Sequence, residues 1–165
     1  MNTFIRKAAT SLALMIATFA AHAATDNTSF AVKLTVTSTC DISSVPATDI
    51  DFSSHNSTAT NVDSTGKLTV NCTNETPYTI GLDDGAHENN GSRRMAGQDT
   101  QNTGVYVPYQ LFTDSGRSIP WNDTSNTYGG TGTGAAQELT VYARVAAMNV
   151  SAGDYLDTVT ATITY

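Results

Sequence analysis

The chain has 165 residues, with 8 Lys and Arg against 15 Asp and Glu, a net charge of −7 at pH 7. That balance argues against nucleic acid and anionic membrane surfaces as partners, because both are gripped by clusters of Lys and Arg. The length, with 39% hydrophobic residues, fits one domain around one core.

The first residues read as an export signal. Arg6 and Lys7 form a positive start, residues 12–21 a short apolar run, and Ala21-His22-Ala23 a small-residue cleavage site. The run is too short to span a bilayer, so an integral membrane anchor is not expected. The mature chain is predicted to begin at Ala24, and no Cys at that point indicates a lipid anchor. Removing residues 1–23 takes away two of the 8 basic residues and leaves a net charge of about −9.

"SFAVKLTVTSTC" (29–40) follows. Phe30, Val32, Leu34 and Val36 alternate with Ala31, Lys33 and Thr35, the pattern of a strand with one apolar face. No turn signal follows to fold it into a hairpin. Its apolar face could fill a groove in its own domain or in another molecule. Cys40 comes next, and Cys72 is its sole possible partner in the chain. An even cysteine count in an exported protein predicts a disulfide, worth about 3–4 kcal/mol for a loop of this length.

"ATDIDFSS" (47–54) reads as a short strand, and 54–65 as a polar connection. "GKLTVNCT" (66–73) puts Leu68, Val70 and Cys72 on one face, and "TPYTIGLD" (76–83) puts Tyr78, Ile80 and Leu82 in phase. Residues 83–94 are rich in turn formers and read as a surface loop. "VYVPYQLFTD" (105–114) is an apolar strand whose Pro108 predicts a sheet edge or a bulge. Residues 128–137, "YGGTGTGAAQ", read as a second loop. "QELTVYARVA" (137–146) and "DYLDTVTATITY" (154–165) close the chain with clean two-residue alternation. Short half-apolar strands at this spacing predict an all-β, antiparallel sandwich. The last strand reaches Tyr165 with nothing after it to cover its far side. A sandwich one strand short would leave a groove beside an open edge, and an alternating extended segment is its natural complement.

Signs of catalysis are few. His55 and His87 sit in polar segments and read as solvated, and no nucleophile elbow, zinc motif or phosphate loop is present. Asp83, Asp84 and Glu88 lack the regular spacing of a calcium loop. Asp154 and Asp157 could be paired carboxylates of a hydrolase. They fall on opposite faces at a strand start and read as solvated. Trp121 and Tyr128 could stack a sugar, or else belong to the core or a loop. The sequence therefore indicates no catalytic residue, cofactor or metal site.

The pieces in order resemble the spore coat protein U family, which includes the major subunits of archaic, Csu-type chaperone–usher pili. The carrying stretches are "FAVKLTVTSTCDI", "GKLTVNCT", "YTIGLDDG", Arg93-Arg94-Met95, "VPYQLFTD", Trp121, "LTVYARV" and "AGDYLDTVTATITY". Asn122 stands where family members often have Gly. The resemblance implies an incomplete immunoglobulin-like sandwich completed by a donor strand. It divides the chain into a signal peptide (1–23), a donor arm (24–37) and a pilin-like domain (38–165). It maps Phe30, Val32, Leu34 and Val36 onto the donor positions. It also implies a periplasmic chaperone and an outer-membrane usher as partners, and a polymer of identical copies at the cell surface, serving adhesion and biofilm formation. Two other readings stand beside it: a self-contained glycan-binding module and a protective surface or spore coat protein.

Overall fold

The computed structural model describes residues 23–165, and the predicted export signal at 1–23 lies outside them except for Ala23. The chain divides after Thr35 into an N-terminal unit and a compact unit from Val36 to Tyr165. Within the compact unit ten strands form: β1 (Cys40–Asp41), β2 (Thr60–Cys72), β3 (Pro77–Leu82), β4 (Arg94–Gly97), β5 (Tyr106–Pro108), β6 (Gln110–Phe112), β7 (Tyr128–Thr131), β8 (Ala136–Ala147), β9 (Tyr155–Leu156) and β10 (Ala161–Thr164). All pairings are antiparallel. One sheet runs β1-β2-β8-β6, and two three-stranded sheets run β10-β3-β7 and β5-β4-β9.

The two-residue period builds the core. Leu68, Val70 and Cys72 of β2, Leu139, Val141, Ala143 and Val145 of β8, and Tyr78, Ile80 and Leu82 of β3 are all buried in one cluster. Trp121 is fully buried among them and donates its Nε1–H to the Ile80 carbonyl at 2.8 Å. That burial removes it as a sugar-stacking platform.

Several elements differ from the sequence reading. β2 begins at Thr60, inside the stretch read as a polar connection, because Val62 points into the core and Asp63 pairs with Arg144 of β8. Pro108 stands at the end of β5, and the run 105–114 divides there. β5 and β6 are edge strands of two different sheets, so the break carries the chain from one sheet to the other. β7 occupies the glycine-rich stretch read as a loop. A Cβ at Gly130 would collide with the Tyr78 ring, so strand β7 tolerates only glycine where that ring crosses it. β4 is a further strand, and it opens at Arg94, inside the predicted 83–94 loop.

Arg93, 8% exposed, holds the layers in place. Its guanidinium donates to the carbonyls of Asp83 (2.7 Å), Leu82 (2.7 Å) and Trp121 (3.0 Å). Arg93→Lys keeps the charge and loses the planar fork, so urea unfolding should show a loss of about 2 kcal/mol. A loss below about 0.5 kcal/mol, the range of ordinary surface changes, would contradict this role.

Candidate functional site

Two stretches of low regularity frame the site. The first is 47–57, which follows the short strand β1. Thr48 N–H donates to the Lys67 carbonyl (3.0 Å), Lys67 N–H to Thr48 Oγ1 (2.7 Å), and Ser64 Oγ to the Asp51 carbonyl (2.6 Å). These bonds lay the segment along the outer side of β2. A Cβ on Gly66 would lie 2.6 Å from Ile50, so the absent side chain lets Ile50 close in. Here the predicted strand 47–54 is reduced to a single bridge at Thr48, and the chain runs on without a ladder.

The second stretch is the last strand. Tyr155, Asp157, Val159, Ala161 and Ile163 are half-buried on one face, and the residues between them are exposed. β9 pairs only with β4 and β10 only with β3, so the far edge of both is open. Between this edge and segment 47–57 runs a groove of about 1350 Å³. Ile50 and Phe52 line one wall, Tyr155, Val159 and Ala161 the other, and Leu68, Leu82, Val107 and Val141 the floor.

One polar cluster interrupts this apolar lining. The sequence pattern predicts a solvated Asp157, yet its side chain is 2% exposed. Its carboxylate accepts from the Tyr109 hydroxyl (2.6 Å), the His87 backbone N–H (3.1 Å) and His87 Nδ1 (2.9 Å). Burial, reinforced by the hydrogen bond to Asp157, pushes the Tyr109 phenol well above its ordinary value, so it stays a neutral donor. Asp154 is exposed, so the two acids point to opposite faces of the strand. His87 is thus a partner of Asp157 rather than a solvated loop residue. Asp83 accepts from the backbone of Gly85 and Thr160, and Glu88 from that of Gly91. Among the described residues, no group of three or more His, Cys, Asp or Glu is placed to hold a metal ion.

The arm is described by itself. Residues 23–39 take part in no strand ladder among the described residues. Phe30, Val32, Leu34 and Val36 are 85%, 87%, 87% and 73% exposed. The alternation seen in the sequence forms no ladder among the described residues, and an extended segment needs a neighbouring edge to become a strand. Where the arm meets the domain, Cys40 and Cys72 are direct partners in the β1–β2 ladder and are joined by a disulfide.

Four carboxylates carry an acid response. The backbone N–H of Ser43 holds Asp41 below the usual range, and the Arg144 guanidinium does the same for Asp63. Burial opposes ionisation of Asp83, but the Thr160 and Gly85 hydrogen bonds outweigh it. The Ile119 N–H lowers Asp114. Depressed folded values mean the unfolded chain binds more protons. The stabilisation is present above about pH 4 and lost as the pH falls through the folded values. Thermal melting should be flat from about pH 6 to 5 and fall below about pH 4. A melting temperature that rises on acidification would contradict these contacts.

The family model described as Spore Coat Protein U domain matches residues 26–162, nearly the whole described chain. The chain belongs to the spore coat protein U domain family. No curated protein matches this spore coat U domain. Among solved structures, it is similar to a chain of the CsuC–CsuE chaperone–tip adhesion subunit pre-assembly complex from archaic chaperone–usher Csu pili of Acinetobacter baumannii. That match has a TM-score of 0.58 and 24% identity and covers 79% of this chain and 41% of that one. A weaker similarity is to a chaperone–tip adhesin complex of CFA/I fimbriae biogenesis, with a TM-score of 0.49, 10% identity, and 77% and 42% coverage. The spore coat U domain thus spans less than half the length of either matched chain. The first likeness gives the fold: an all-β, immunoglobulin-like antiparallel sandwich. Among the described residues, no helix is long and apolar enough to cross a membrane.

Proposed function

We propose that this spore coat U domain is a non-enzymatic fimbrial subunit that polymerises by donor-strand exchange. The observation that carries the reading is the apolar groove beside the open edge of the last strand, in a chain that also bears an exposed, alternating apolar arm. The arm of one copy, residues 24–37, adds as a strand to the groove of the next, with Phe30, Val32, Leu34 and Val36 pointing inward. Burying four such side chains fully is worth roughly 6–12 kcal/mol before the cost of ordering the arm. Each copy has one arm and one groove, so the contact is head-to-tail and builds an open fibre.

A periplasmic chaperone covers the groove before assembly, and an outer-membrane usher replaces it with the next subunit's arm. The likeness to a chaperone–subunit complex of Csu pili supports this route through the periplasm to the cell surface. Fibres there serve adhesion and biofilm formation. The direct test is the state of the secreted protein. Without heating, it should run in detergent gels as a ladder in steps of one subunit mass and collapse to one band on boiling. A single subunit band before heating contradicts polymerisation.

A further inference from the structure

The last strand serves two sheets. β9 pairs with β4 at Tyr155 and Leu156, and β10 pairs with β3 from Ala161 onward. Residues 157–160 join neither ladder and are tied to the turn 83–87. Ala86 N–H donates to the Thr158 carbonyl (3.0 Å), Asp83 N–H to the Thr160 carbonyl (3.0 Å), and Thr160 N–H to Asp83 Oδ1 (2.9 Å). Asp157 locks this seam from inside. Its Oδ1 takes both His87 donors and its Oδ2 the Tyr109 hydroxyl. Gly85 makes room for it. The glycine has φ +81°, and a Cβ there would collide with Asp157 Oδ2. Tyr109 and Asp157 both line the groove.

We propose that Asp157 is a positioning residue for strand uptake: held by Tyr109 and His87 across Gly85, it aligns the open edges of β9 and β10 into one acceptor edge. The inference rests on the donor-strand reading and adds where the edge is set. An added strand needs its partner's N–H and C=O groups in one line, and a one-residue slip turns every side chain to the wrong face. β9 and β10 belong to separate sheets, so nothing in the ladders themselves fixes one relative to the other. The bonds to the turn 83–87 do, and the carboxylate holds that turn in place from inside. Once it is freed, an incoming strand pairs with one half of the edge and is held less long.

The test uses the full mature chain carrying Val32→Asp, whose own arm is disabled as a donor. A fluorescent peptide of residues 28–38 is loaded and its dissociation followed. Tyr109→Phe removes one partner of Asp157, and Gly85→Ala pushes against the carboxylate while leaving it intact. Val70→Ala, a fully buried core position on β2 away from the groove, is the comparison for general destabilisation. The expected result is release about tenfold faster for Tyr109→Phe and Gly85→Ala, and less than about twofold faster for Val70→Ala, read as off-rate. Hydrogen exchange should then show protection by the peptide at 161–164 and its loss at 155–156. If both seam variants release the peptide no faster than Val70→Ala, the positioning role is overturned and strand uptake stands. If the reference chain itself takes up no peptide, the donor-strand reading falls, and this inference with it.

Discussion

Val32→Asp is expected to abolish fibre formation while leaving the subunit folded. Val32 is 87% exposed, so in a single chain the new carboxylate stays in water and costs almost nothing. Exposed substitutions of this kind move stability by less than about 0.5 kcal/mol. In the fibre the same carboxylate would enter a groove floored by Leu68, Leu82 and Val141. An unpaired charge there costs several kcal/mol, against the roughly 6–12 kcal/mol that the four apolar side chains can supply at most. Ordering the arm already consumes part of that gain. The gel ladder of the secreted protein should vanish, with the melting temperature of the purified subunit unchanged within about 2 °C. A normal ladder from Val32→Asp would show that the arm is not the link between copies.

The second large effect belongs to the disulfide. Cys40 and Cys72 close a loop with a sequence separation of 32, for which chain entropy gives about 4 kcal/mol. The loop has a particular content. It holds segment 47–57, the groove wall that no continuous ladder secures. It is held to β2 by the Thr48–Lys67 and Ser64–Asp51 hydrogen bonds and by the packing of Ile50 and Phe52 on the core. Cys72 is also 1% exposed, so a serine there places a hydroxyl in the core. The double variant Cys40→Ser, Cys72→Ser should lose about 4 kcal/mol in urea unfolding under matched conditions. It should also fail to retain the arm of a neighbour, because one groove wall is no longer held. A loss below about 1 kcal/mol would mean the bond is dispensable to the fold.

What could be read from the sequence follows from where period-two alternation survives. β2, β3, β8 and β10 carry it cleanly, so sandwich, core and strand phase were all legible from Leu68, Ile80, Val141 and Ile163. The arm pattern was equally plain, yet alternation alone does not say which edge an extended segment pairs with. β7 escaped because Gly129 and Gly130 signal a loop, and only the Tyr78 ring packed across Gly130 explains a strand there. Asp157 escaped for a related reason. Its spacing placed it on the inward face of the last strand, but acids at strand starts are usually solvated. The partners that bury it, Tyr109 and His87, lie 48 and 70 residues away. The groove itself is a tertiary object. Ile50 and Phe52 form a wall only because segment 47–57 lies along β2 at Gly66.

The central claim is that the groove accepts the arm. The most direct measurement is the melting temperature of the mature Val32→Asp chain with and without a peptide of residues 28–38, beside a control peptide that also carries Val32→Asp. Tight binding at saturating peptide stabilises a folded chain by several kcal/mol, equivalent to a rise of about 10 °C for a domain of this size. The account predicts that rise with the native peptide and none with the control. Equal melting temperatures with native peptide, control peptide and no peptide would contradict it.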